Sequence, residues 1–89
     1  MARVTLTANL KKYYPETRFT VAGGTLRAVL DAMEARRPHF MSYVLEDNGH
    51  IRKHVNMFID GQLVRDKTNI DIPVAENADI HIMQALSGG

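Results

Sequence analysis

The sequence predicts an α+β domain in which one main helix packs on a small mixed sheet. Three observations carry that expectation. Five short segments alternate polar and apolar residues with period two, the strand signature. One segment repeats apolar residues at i, i+3, i+4 and i+7, the helix signature. Turn signals separate the segments so that the helix falls between two hairpins, and one helix over a sheet is a two-layer solution.

Each element follows from local chemistry. Arg3-Val4-Thr5-Leu6-Thr7 alternates, giving one face to bury and one to wet. Tyr14-Pro15-Glu16 breaks the chain, and Thr17-Arg18-Phe19-Thr20-Val21 resumes the alternation, so a hairpin is expected. Gly23-Gly24 punctuates, and the Thr25 hydroxyl is suited to cap a helix start. Leu26, Val29, Leu30 and Met33 then make one apolar stripe. Arg36 and Arg37 suit the negative end of the helix dipole, and Pro38 stops it. Phe40, Tyr43 and Val44 are spaced for a short helical turn over one edge of the core, and Asp47-Asn48-Gly49 is a turn. Val55-Asn56-Met57-Phe58-Ile59 and Gln62-Leu63-Val64 flank Asp60-Gly61, a two-residue hairpin turn. Residues 69–73 read as irregular. Glu76-Asn77-Ala78-Asp79 turns the chain into the last strand, Ile80-His81-Ile82-Met83-Gln84. Residues 1–84 are therefore expected to form the domain and residues 85–89 an extended tail.

Composition narrows the function classes. The 89 residues provide for one small core and leave no room for a deep cleft between lobes. With 45% hydrophobic and 24% charged residues the chain has enough apolar surface to fold, which argues against disorder. No apolar run approaches the roughly 20 residues of a membrane span, so no membrane partner is expected. A net charge of +1, scattered along the chain, gives no argument for nucleic acid. The absence of cysteine excludes disulfides, a Cys-based zinc site and a cysteine nucleophile, and fits the reducing cytoplasm.

Several other side chains have the type or spacing of a site. His50 and His54 have a helical ligand spacing, but Gly49 and the strand that follows argue against a helix there, so no metal is expected. Arg52-Lys53-His54 and Arg65-Asp66-Lys67 are short charged runs that solvated loops explain, though either could border an acidic partner. Arg27, Asp31 and Glu34 read as the wet face of the helix. Tyr13-Tyr14 reads as a loop pair covering an edge. Ser87 has no nearby His and acid in sequence and is not assigned as a nucleophile. No glycine-rich phosphate cradle is present, so no cofactor is expected on this chain.

Strand parity points to a surface. Val55, Met57 and Ile59 share a face with one partner set, Ile80 and Ile82, and should pack under the helix. Phe58, His81 and Met83 then fall on the open face. With Leu86 and Ser87 they are the expected partner-binding residues, Phe58, Met83 and Leu86 being the core of a docking patch.

The tail is the informative feature. Ala85-Leu86-Ser87-Gly88-Gly89 follows the last strand directly. Glycine is a poor residue for an end meant only to stay folded, because it loses the most conformational freedom. Without Cβ atoms, however, a Gly-Gly end lets a terminal carboxylate enter a narrow slot. Six extended residues from Gln84 to Gly89 span up to about 20 Å, enough to reach into another protein.

Taken with Gly23-Gly24-Thr25-Leu26 at the helix start and Val55-Asn56-Met57-Phe58-Ile59-Asp60-Gly61 at the second hairpin, this tail resembles the prokaryotic sulfur-carrier family that includes ThiS and MoaD. The resemblance covers essentially the whole chain and implies the ubiquitin-like β-grasp fold. Two departures are visible. Glu76-Asn77-Ala78-Asp79 replaces a Gly-Asp or Asp-Gly-Asp turn common in the family, and no proline precedes the tail.

The resemblance also implies a mechanism. An E1-like adenylyltransferase uses ATP to activate the terminal carboxylate, here on Gly89. A sulfurtransferase or other sulfur donor converts it to a thiocarboxylate. An acceptor synthase or other sulfur-using enzyme then takes the sulfur for a cofactor or small metabolite. In that scheme Gly88 and Gly89 are the reactive end, the chain is a carrier and not an enzyme, and ATP binds the partner. The family also accommodates a permanent synthase subunit of the molybdopterin type and a ubiquitin-like modifier joined to lysines. A non-covalent adaptor with an incidental Gly-Gly stands outside that chemistry.

Overall fold

The computed structural model describes residues 1–7, 10 and 18–84. Its elements follow the expected order. Strands β1 (Ala2–Leu6) and β2 (Arg18–Val21) precede helix α1 (Leu26–Arg36). A short helix α2 (Phe40–Val44) comes next, then β3 (Val55–Ile59), β4 (Gln62–Leu63) and β5 (Asp79–Gln84). The five strands form one sheet in the order β2-β1-β5-β3-β4. The two hairpins are antiparallel, β5 lies antiparallel to β3, and β1 and β5 run parallel at the centre.

Alternation decides which face is buried. Val4, Leu6, Val55, Met57, Ile80 and Ile82 point to one side and are buried. Leu26, Val29, Leu30 and Met33 of α1 cover them, as the stripe predicts. Phe40 and Val44 of α2 close the edge, so the segment that the sequence marks as a short helical turn is one. Residues 69–73 have no regular structure, yet Ile70 and Val74 plug the core beside the helix start. No polar or charged residue is buried among the described residues.

The helix start shows why that irregular segment matters. A helix leaves its first N–H groups without intrahelical acceptors. Here the Leu26 N–H donates to the Ile72 carbonyl at 2.9 Å and the Arg27 N–H to the Ile70 carbonyl at 2.8 Å. The Ala28 N–H donates to the Thr25 hydroxyl at 3.1 Å, which makes Thr25 the expected cap. Arg27 also holds Asp71 in an ion pair at 2.6 Å.

The far end of α1 departs from the sequence expectation. Glu34 is not merely part of a wet face. Its carboxylate accepts the His39 N–H at 2.6 Å and the Met41 N–H at 2.8 Å, tying α1 to the start of α2. His39 sits at φ 77°, a left-handed conformation that a non-glycine residue adopts at a cost, and the Glu34 bond helps hold it there. Those donated hydrogen bonds keep the Glu34 carboxyl below the usual glutamate range.

At the second hairpin, Asp60 and Gly61 both have positive φ, 51° and 83°, the conformation that a two-residue turn between twisted strands requires. The tip is tied to the central strand. The Asp60 N–H donates to the Asp79 carbonyl at 2.7 Å, and the Asp79 N–H donates to the Asp60 carboxylate at 2.9 Å.

Candidate functional site

The strand register builds the open face of the sheet row by row. His81 on β5 lies directly opposite Phe58 on β3, and Phe58 lies opposite Leu63 on β4. On the other side of His81 come Thr5 of β1 and Arg18 of β2. One row therefore reads Arg18, Thr5, His81, Phe58, Leu63. Toward the C-terminal end of β5, Met83 pairs with Asn56. Toward its start, Asp79 pairs with Arg3, and the two side chains form an ion pair at 2.8 Å.

This arrangement places three of the five expected partner-binding residues together. His81 and Met83 are exposed, Met83 at 42%, and Phe58 is half-buried. With Asp60, Gly61 and Asp79 they line one shallow depression. A second depression, lined by Arg3, Thr5, Arg18 and Thr20, shares His81 and Asp79 with the first. The face thus has an apolar half and a polar half that meet at His81.

Sequence reasoning missed Leu63. It is 37% exposed and extends the apolar half by one strand. Its parity was legible, because a two-residue turn sets residue 63 opposite residue 58, and directly opposed residues share a face. Leu86, Ser87, Gly88 and Gly89, together with Tyr13-Tyr14 and the break at Tyr14-Pro15-Glu16, lie outside the described residues.

The other candidates also find their places. His50 and His54 do not share a helix, since residues 47–49 turn and Leu45 bridges to Ile51. No group of three or more metal-ligating side chains occurs among the described residues. No helix among them is long and apolar enough to cross a membrane. The Asp66 carboxyl lies below the usual aspartate range because the Thr68 hydroxyl and N–H both donate to it.

The open face belongs to a strand with an unusual position. β5 is central, hydrogen-bonded to β1 on one side and β3 on the other. The ladder extends to its last residue: Val55 pairs with Gln84, and the Gln84 N–H donates to the Thr7 hydroxyl at 3.3 Å.

Solved structures share the fold along the whole chain. A chain of the Amycolatopsis orientalis BexX/CysO complex superposes with a TM-score of 0.88 at 18% identity, covering 100% of both chains. Mycobacterium tuberculosis CysO matches with 0.85 at 19% identity, over 97% of this chain and 100% of its own. Haloferax volcanii SAMP1 matches with 0.76 at 24% identity, over 99% of this chain and 98% of its own. At these identities the likeness establishes the fold, a ubiquitin-like β-grasp, and nothing more. No curated protein matches the chain by sequence. The sequence model of the ThiS family, however, matches residues 4–89, from the first strand through the terminal Gly-Gly. With all but its first three residues covered by that model, the chain belongs to the ThiS family.

Proposed function

We propose that this protein is a sulfur carrier whose reactive group is the carboxylate of Gly89. The observation that carries the reading is the family match running through residue 89, so that Gly88 and Gly89 fall inside the matched region. The chemistry explains why such an end needs a partner. A carboxylate does not acylate sulfur directly, because the leaving group would be oxide. In the partner, an E1-like adenylating enzyme, a Gly89 oxygen attacks the α-phosphorus of ATP and pyrophosphate leaves. A sulfide equivalent from a donor protein then attacks the acyl carbon, AMP leaves, and a thiocarboxylate remains. Its sulfur attacks an electrophilic metabolite in an acceptor enzyme, and hydrolysis of the acyl–sulfur bond restores the carboxylate.

In this reading the chain supplies no acid or base. It supplies the terminal group, a tail without side chains at its tip, and a β5 paired on both sides from which the tail begins. The open face gives partners a surface to grip, with Phe58, Leu63 and Met83 as apolar contacts and His81 at the centre. ATP belongs to the activating partner.

A second reading has a specific observation in its favour. Haloferax volcanii SAMP1, whose fold this chain shares, is a small archaeal modifier protein. A modifier uses the same adenylate but passes the acyl group to a lysine amine, releasing AMP and forming an isopeptide bond.

Intact-mass measurement on protein from its native host tests both. A thiocarboxylate adds about 16 Da, the same as oxidation of one methionine, so thiol-selective alkylation is run in parallel. An alkylatable terminus on Gly89 supports the carrier. Gly89-linked lysines on other proteins support the modifier. An inert carboxylate, with full biological activity after removal of Gly88 and Gly89, overturns both.

A further inference from the structure

The two charged runs singled out in the sequence, Arg52-Lys53-His54 and Arg65-Asp66-Lys67, are 13 positions apart, yet the fold makes them one cluster. The Ile51 N–H donates to the Lys67 carbonyl at 2.8 Å, and the Lys67 ammonium donates to the Arg52 and Lys53 carbonyls at 3.4 and 3.1 Å. The cluster sits at one defined end of the sheet. Lys53 and His54 immediately precede Val55, and Val55 is the residue paired with Gln84. The Val64 N–H donates to the Met57 carbonyl, so the next residue, Arg65, lies level with Asn56 and in line with Met83. Arg18, at the start of β2, stands level with His81 in the middle of the face and is not part of the cluster.

Partners separate working cations from structural ones. Arg52 donates to the Ser42 carbonyl at 3.0 and 3.2 Å, and Lys67 is engaged as above. Lys53 and Arg65 are exposed and pair with no carboxylate among the described residues. The one carboxylate of the two runs, Asp66, stays ionised under its hydrogen bonds from Thr68, so Arg52, Lys53, Arg65 and Lys67 outnumber it four to one. At the opposite end of the sheet the balance reverses. Asp60, Glu76 and Asp79 lie there, and the nearby cation Arg3 is spent on Asp79. The sheet therefore carries positive charge at the end where the chain leaves β5 and negative charge at the other.

We propose that Lys53 and Arg65 form a cationic collar beside the base of the tail that docks on an acidic protein surface at the mouth of the adenylating partner's channel. The proposal rests on the carrier reading above. Its physical content is orientation. A tail must enter its slot end-first, and a charge gradient along the sheet turns the carrier so that the tail leads. Such steering acts on the association rate and fades with salt, whereas apolar contacts act on dissociation. A protein surface fits better than nucleic acid. The net charge of the whole chain is only +1, and the collar borders the apolar side chains Met83, Leu63 and Phe58.

The test is carrier-dependent ATP–pyrophosphate exchange by the adenylating enzyme of the same organism, from about 50 mM to about 500 mM salt. Lys53→Glu/Arg65→Glu is compared with wild type and with Arg37→Glu, a charge reversal at the exposed end of α1. All are checked by thermal melting. The collar predicts that the double variant raises KM for the carrier roughly tenfold at low salt, leaves kcat unchanged, and converges on wild type at high salt. Arg37→Glu stays within twofold. A folded double variant with wild-type KM and salt slope overturns the collar alone, as does an equal effect from Arg37→Glu. Tight duplex-DNA binding by wild type that the double variant loses reassigns the cations and also overturns it. If wild type supports no exchange at any salt, the carrier reading fails and the collar's partner falls with it.

Discussion

Exposed apolar side chains on the open face give a quantitative prediction for Leu63→Ala/Met83→Ala. Burying a whole leucine or methionine side chain is worth about 1.5–3 kcal/mol. Met83 retains 42% of its surface in solvent and Leu63 retains 37%. Covering those fractions at an interface contributes about 0.6–1.3 and 0.6–1.1 kcal/mol, or roughly 1.2–2.4 kcal/mol together. Each 1.4 kcal/mol is tenfold, so the ceiling is about 7- to 50-fold in affinity. Alanine keeps the β-carbon, so the lower part of that range is expected, about 5- to 20-fold. The assay is KM for the carrier in ATP–pyrophosphate exchange, with kcat as the internal control. Because the side chains are lost from a face already in contact with water, kcat holds and the fold survives. A folded double variant whose KM stays within twofold of wild type refutes the use of this face.

Two further predictions concern stability. Glu34→Gln should weaken the α1–α2 junction and flatten the acid limb of stability. The folded-state carboxyl is held below its ordinary value of 4.5, so its contribution is present above that pH and disappears as pH falls through the folded value. Urea melts of wild type and variant should differ at pH 7 and converge as the medium is acidified through the lowered folded value; curves that stay parallel would count against the junction. The adjacent glycines at the helix entry should behave differently. A Cβ on Gly23 would lie 2.9 Å from both the Val29 side chain and its backbone nitrogen, while one on Gly24 meets nothing within 4 Å. Gly23→Ala should cost about 1–3 kcal/mol, lowering Tm by roughly 5–20 °C. Gly24→Ala should stay within about 0.5 kcal/mol. Equal melting temperatures would show that the helix start yields freely.

Much of the molecule is legible locally because alternation and helical spacing are properties of consecutive residues. The stripe Leu26, Val29, Leu30 and Met33, the cap at Thr25 and the turn at Asp60-Gly61 all stand where their neighbours in sequence require. So does the outward parity of Phe58, His81 and Met83. Other features could not be read that way. Glu34 looks like any polar position on a wet face until α2 folds back over it. Residues 69–73 have no period to announce that Ile70 and Ile72 supply the acceptors for the helix start.

The sequence by itself determined the kind of elements, their order, which side of each strand is apolar, and the glycine-tipped end that the family shares. Only the tertiary structure decided that β5 sits at the centre beside β1, that Leu63 joins Phe58, and that two charged runs meet beside Gln84. The reason is the range of the forces involved. Side-chain periodicity is written into neighbouring residues, whereas strand partners and loop contacts depend on closing long segments of chain, and the energy that selects among closures comes from the whole packed core.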